Sequence, residues 1–185
     1  SSGKTGVIYK STDSGNNWSL DYSVNPSTSN LITSIAKSPT TGILIVTDRL
    51  GYSGSTWKTF RYNGSWNLSD NYTPPSANYS FPNSVTTSSD GNFYVSGSYY
   101  RPSAFYWLVR KSIDDGLTWS DLETYQYFAG KSSQAYASLS DDNDLYVIGY
   151  GTDNGNKLHW LVRKYNGATW SVDDDDTIDS VNLIV

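Results

Sequence analysis

Seven tryptophans fall into two columns of a single repeat, and a chain built this way has few folds open to it. Trp18, Trp66, Trp119 and Trp170 close a turn-like box at spacings of 48, 53 and 51 residues, and Trp57, Trp107 and Trp160 precede it at spacings of 50 and 53. A period of about fifty residues is long enough for one small four-stranded sheet per repeat. The box is complete at Ser112-Ile113-Asp114-Asp115-Gly116-Leu117-Thr118-Trp119 and recognisable at Ser11-Thr12-Asp13-Ser14-Gly15-Asn16-Asn17-Trp18. It is eroded where it ends at Trp66 and Trp170.

Local preference agrees with sheets. Sixteen tyrosines accompany abundant Ser, Thr, Asn and Gly, whereas Met and Cys are absent and the strong helix formers are scarce. The expected class is all-β. Without cysteine there is no disulfide staple and no thiol chemistry. The longest aliphatic run, Ile43-Leu44-Ile45-Val46, is far shorter than the ~20 residues that span a bilayer, so no membrane insertion is expected. A net charge of −5 argues against tracking the phosphates of a nucleic acid. With no basic, apolar leader at its start, the sequence reads as a mature product or an excerpt, and its Ser/Thr/Asn/Tyr-rich, Lys-poor composition resembles that of bacterial secreted or cell-surface proteins.

Aligning on the box gives each repeat four strands. Leu31–Ser38 matches Asn83–Ser89 and Gln134–Ser140, and the triplet Leu44-Ile45-Val46 matches Phe93-Tyr94-Val95 and Leu145-Tyr146-Val147. Trp107-Leu108-Val109-Arg110-Lys111 recurs as Trp160-Leu161-Val162-Arg163-Lys164 and, more weakly, as Trp57-Lys58-Thr59-Phe60-Arg61. A fourth strand follows each box. This is the content of a β-propeller blade. The chain divides into a partial blade at 1–30, full blades at 31–78, 79–130 and 131–177, and a first strand of the split blade at 178–185. Ring closure through the termini, an excerpt from a larger ring and a homo-oligomer all follow as options, because open blades expose edges and apolar faces.

The complete Ser-x-Asp-x-Gly-x-Thr-Trp pattern at 112–119 and its copy at 11–18 resemble the Asp-box, or bacterial neuraminidase, repeat of sialidases and sortilin-type receptors. The resemblance covers nearly the whole chain. It implies that the boxes lie on the hairpin between third and fourth strands, on the face away from the binding site. The structural set is then Asp13, Gly15, Trp18, Trp66, Ser112, Asp114, Gly116, Trp119 and Trp170, with each carboxylate accepting N–H groups of its own turn and each indole filling a blade joint.

The binding face then falls to the loops joining second to third strands, at 49–56, 99–104 and 150–158, and to the loops between blades. These carry Arg49, Tyr52, Tyr72, Tyr79, Tyr99, Tyr100, Arg101, Tyr125, Tyr127, Tyr150 and Asp153, with Phe81 and Phe128 nearby. Aromatic faces beside amides and a few charges suit a sugar, whose C–H face packs on a ring while polar groups hold its hydroxyls. The expectation is a glycan-binding or adhesion module without a cofactor. A sialidase-like hydrolase fragment and a homo-oligomeric protein-interaction or fibre-tip domain are the alternatives. No catalytic set is assigned: Glu123 is the sole glutamate, Tyr100-Arg101-Pro102 matches a sialidase arginine motif only loosely, and paired-carboxylate hydrolysis needs two acids at one bond. His159 takes the repeat position of Tyr106 and reads as a strand-surface residue. Asp173-Asp174-Asp175-Asp176 reads as solvated loop, with calcium binding left open and no metal site assigned.

Overall fold

The computed structural model describes residues 6–24, 30–50, 56–142 and 144–178. Among these residues fourteen strands alternate with turns. They are β1 (Val7–Lys10), β2 (Ser19–Ser23), β3 (Asn30–Lys37), β4 (Leu44–Leu50), β5 (Trp57–Tyr62), β6 (Trp66–Tyr72), β7 (Tyr79–Thr87), β8 (Phe93–Arg101), β9 (Ala104–Ser112), β10 (Ser120–Tyr125), β11 (Ser133–Asp141), β12 (Asp144–Thr152), β13 (Leu158–Tyr165) and β14 (Trp170–Thr177). They form antiparallel meanders: a pair β1-β2, then blades β3-β4-β5-β6, β7-β8-β9-β10 and β11-β12-β13-β14. The fold is an all-β array of blades, as the repeat predicts. First strands touch across blades, β3 on β7 and β7 on β11, so they line the inner side of the array.

Each internal joint is a core of its own. Trp57, Ile45, Phe93, Val95 and Leu108 close the joint between the second and third blades, and Trp107, Tyr94, Val109, Leu145, Val147 and Leu161 close the next. Strand alternation explains the division: Val95 faces backward and Tyr94 forward, so one strand serves two cores. A polar clamp adds to each joint. Arg110 lies 3.7 Å from the centroid of the Tyr72 ring and 2.9 Å from Asp70, both on the preceding blade, and also pairs with Asp121. One repeat later Arg163 lies 3.7 Å from the Tyr125 ring and pairs with Glu123. The register makes these equivalent, since Asp70 and Glu123 oppose Thr59 and Val109, and Tyr72 and Tyr125 oppose Trp57 and Trp107.

The joint between β1-β2 and the second blade departs from this plan. Phe60 takes the arginine's place and Tyr22 the carboxylate's, with ring centroids 5.7 Å apart. Gly6 stands where the other blades carry Trp57, Trp107 and Trp160, and Asp48 stands where they carry Gly97 and Gly149. Asp48 is fully buried, neither carboxylate oxygen has a hydrogen-bond partner among the described residues, and burial pushes its pKa up to about 6.

The Ser-x-Asp-x-Gly turns fold as the pattern dictates. Asp114 Oδ1 accepts the Thr118 N–H at 2.8 Å, Ser112 Oγ accepts the Gly116 N–H at 2.9 Å, and Gly116 takes φ +77°. Asp13 repeats this with the Asn17 N–H at 2.8 Å, and that donation lowers its pKa to about 2. Gly15 also has positive φ.

Four details correct the sequence reading. Trp18 plugs no joint: it is 64% exposed and its Nε1 donates to its own turn's Gly15 carbonyl, because no blade lies on its side among the described residues. Trp160 is 39% exposed for the same reason, whereas Trp57 and Trp107 are wholly buried. Asp173–Asp176 lie in β14 rather than in a loop, paired to β13. Finally, β4, β8 and β12 run to Leu50, Arg101 and Thr152, so Tyr99, Tyr100 and Tyr150 sit in strands and the 101–104 connection is a tight hairpin around Ser103. Ile178 continues the ladder by donating its N–H to Leu158, and the remainder of the expected closing strand lies outside the described residues.

Candidate functional site

All three first strands carry a β-bulge at the same repeat position, between Ile32 and Ser34, Pro82 and Ser84, and Ala135 and Ala137. A bulge re-aims one side chain, and here the residues released toward the inner side are Thr33, Asn83 and Tyr136. Glycine on the second strand permits two of them. A Cβ at Gly97 would stand 2.0 Å from the Phe81 carbonyl oxygen, and one at Gly149 would stand 1.9 Å from that of Gln134. Thr33 and Asn83 spend their donors on the next blade, bonding the Pro82 carbonyl at 2.9 Å and the Ala135 carbonyl at 2.7 Å. Tyr136 instead donates to Gln134 Oε1 at 3.2 Å and stays 49% exposed.

Between these bulges opens a cleft of about 260 Å³ lined by Arg49, Phe81, Asn83, Ser98, Phe105, Gln134 and Tyr136. Three blades contribute to it, on the side where second strands turn into third strands. The Arg49 guanidinium lies 4.3 Å from the centroid of the Phe81 ring, which holds the cation over an aromatic face. Behind Phe81 the aromatics continue: Tyr79 stacks on Tyr100 at 5.5 Å, Tyr100 meets Phe105 at 4.9 Å, and Tyr150 backs Tyr136 at 6.0 Å. The Ser98 hydroxyl is buried and has no partner among the described residues. The cleft therefore offers flat apolar faces, one cation and several amide or hydroxyl groups.

Of the residues expected from sequence, the structure brings Arg49 into this cleft and Tyr79, Tyr100 and Tyr150 to its aromatic wall. It takes others elsewhere. Tyr72 and Tyr125 belong to the arginine clamps, Tyr99 is 2% exposed and stacks on Tyr106 in a blade core, and Arg101 lies over those two rings while donating to the Pro75 carbonyl at 3.1 Å. Burial raises the Tyr99 and Tyr125 pKa values. Tyr127 stacks on His159 at 4.5 Å and donates to Asp175 at 2.8 Å, which raises its pKa to about 12. His159 also bonds Asp175 at 2.7 Å and lies 3.5 Å from Asp153, whose other oxygen accepts the Lys157 N–H in its own turn. Tyr52 lies outside the described residues. Among the described residues no three His, Cys, Asp or Glu side chains are placed to hold a metal ion, and no helix is long and apolar enough to cross a membrane.

Phe105, Asn83, Gln134 and Tyr136 were not singled out by sequence reasoning as site residues. The signal for them is the glycine at one repeat position of the second strand, Gly97 and Gly149, which marks where a bulged neighbour comes close.

No family model matches the chain, and no curated protein sequence does either. Solved structures do match its shape. A Hadza microbial sialidase superposes with a TM-score of 0.62 over 90% of this chain at 14% identity, and a Trypanosoma rangeli sialidase with 0.58 over 90% at 14%. The fold is that of a sialidase-like β-propeller. An ulvan lyase bound to -[GlcA(1-4)Rha3S]- superposes with a TM-score of 0.58 over 91% at 10% identity. The chain spans 39%, 32% and 49% of those three proteins respectively, well under two thirds of any of them.

Proposed function

We propose that this chain is a carbohydrate-recognition module of a secreted or cell-surface protein, holding a glycan in the cleft between Arg49, Phe105 and Tyr136. The observation that carries the reading is the lining itself. Phe105 and Tyr136 supply aromatic rings for the C–H side of a pyranose, and Asn83, Gln134 and Arg49 stand round them to bond hydroxyls. The glycan named with the ulvan lyase, and the sialidase names, support carbohydrate as the ligand class. Recognition is favoured over hydrolysis because the described lining holds one arginine and no carboxylate, while two acids must flank a bond that is hydrolysed by the paired-carboxylate route.

The test is a glycan array followed by calorimetric titration of the best binder. Phe105→Ala and Tyr136→Ala are each expected to weaken binding at least about tenfold, the loss of about 1.4 kcal/mol of contact. A folded protein that binds no arrayed glycan, or whose affinity ignores both substitutions, overturns the reading.

A further inference from the structure

Among the described residues, the first sheet and the last blade expose two different halves of the same joint. On the last blade Trp160, Val162 and Tyr146 face outward. Their equivalents Trp107, Val109 and Tyr94 are buried at 0%, 0% and 3% exposure against the following blade, while Trp160 is 39% exposed. Leu139, Tyr146 and Ile148 border an apolar groove of about 240 Å³ on this face. On the first sheet the complementary set is bare. Val7, Tyr9 and Trp18 are 42%, 56% and 64% exposed. Their equivalents Leu161, Arg163 and Trp170 enter the internal joint from the other side.

We infer that these faces join two copies of this chain head to tail, the β1-β2 sheet of one covering the Trp160 face of the other. Three observations favour this occupant. The apolar face repeats, position for position, the faces that a following blade covers at the two internal joints, and such joints use side chains of both partners in fixed register. The last blade also lacks the polar staple of the others: Ser34 Oγ accepts the Val85 N–H at 3.1 Å and Ser84 Oγ accepts the Ser138 N–H at 3.2 Å, but Ala137 holds that position in the last blade. A partner sheet that brings third- and fourth-strand equivalents, as β1-β2 does, makes no use of that staple. Finally, Asp174 occupies the register position of Asp70 and Glu123, opposite Val162, and is exposed. The residue equivalent to Arg110 and Arg163 on the incoming sheet is Tyr9, whose hydroxyl is a donor for that carboxylate. The contact buries faces rather than pairing strand edges. A head-to-tail contact between identical chains closes into a ring or continues as a filament, according to its rotation.

Light scattering after gel filtration of the full chain, at concentrations from about 1 to 100 µM, tests this together with two single variants. The wild type is expected to exceed monomer mass as concentration rises. Trp160→Glu and Tyr9→Glu should each remove closed assemblies while keeping the wild-type circular dichroism and thermal midpoint. Mixing the two variants should restore a 1:1 dimer, because each retains the half that the other lost. A wild type that stays monomeric throughout, leaving the face to some other blade or partner, overturns the inference. So does an assembly that survives Trp160→Glu, or a mixture of folded variants that does not pair.

Discussion

The joints on either side of the second blade solve one packing problem in two chemistries. Between the second and third blades, Trp57 fills the core and Arg110 bridges to Tyr72 and Asp70, while the strand opposite is thinned to Gly97. Between the first sheet and the second blade the large residue is gone, Gly6 replaces it, and Asp48 occupies the corresponding second-strand position. The arginine-carboxylate pair becomes Phe60 on Tyr22. The comparison teaches that the repeat conserves volume and register rather than charge. A cation clamped by a ring and a carboxylate can be exchanged for two rings, provided both partners change together, because removing one member alone strands a buried charge.

That comparison can be broken most severely at its large residue. Trp107→Ala should cost about 3–5 kcal/mol in denaturant unfolding, since a wholly buried indole leaves a cavity between two blades. A loss below about 1 kcal/mol would mean that the joint is not the stabilising unit. Next, Arg110→Phe alone should cost about 3 kcal/mol by leaving Asp70 buried and unpaired, and adding Asp70→Tyr should recover most of it by transplanting the first joint's aromatic pair. A double variant no better than the single would show that the two chemistries are not exchangeable.

Asp48→Asn sharpens the comparison from the other side. The folded protein holds the Asp48 proton up to about pH 6, whereas the unfolded chain releases it near 3.8, so native stability falls as pH rises through that window. The variant should therefore gain roughly 2 kcal/mol at pH 7 and nothing at pH 3.5, as read by urea midpoints at both values. Glu123, pushed up to about 7 by burial against the opposing pull of Arg163, adds a fall of the same sign at the third joint. The smallest effect is expected at the turn: Asp114→Ala removes the acceptor for Thr118 and should cost about 1 kcal/mol, visible as a thermal midpoint lowered by a few degrees.

Much of the blade architecture is legible in the sequence because strands and turns here have local causes. The positive-φ glycines and the carboxylate acceptors of the Ser-x-Asp-x-Gly turns need only their own neighbours, and the alternation of Phe93, Tyr94 and Val95 states which face each side chain takes. The cleft is less legible. Tyr99 and Tyr150 look like loop residues because turn signals at Pro102 and Asn154 suggest early strand ends, yet ladder pairing carries both strands further. Tyr136 gains its place from a bulge, which depends on a glycine in another strand about a dozen residues away. Asp173–Asp176 look solvated by charge, and only pairing with β13 reveals which of them meets His159.

The proposed glycan site is the cleft where two first-strand bulges, at Asn83 and Tyr136, meet the Phe105 ring. A crystal structure of the chain soaked with its best-binding oligosaccharide tests that directly. A sugar ring lying between Phe105 and Tyr136, with hydroxyls on Asn83, Gln134 or Arg49, is the predicted result. A sugar bound on the turn face beside Asp13 or Asp114, with this cleft unchanged, would contradict it.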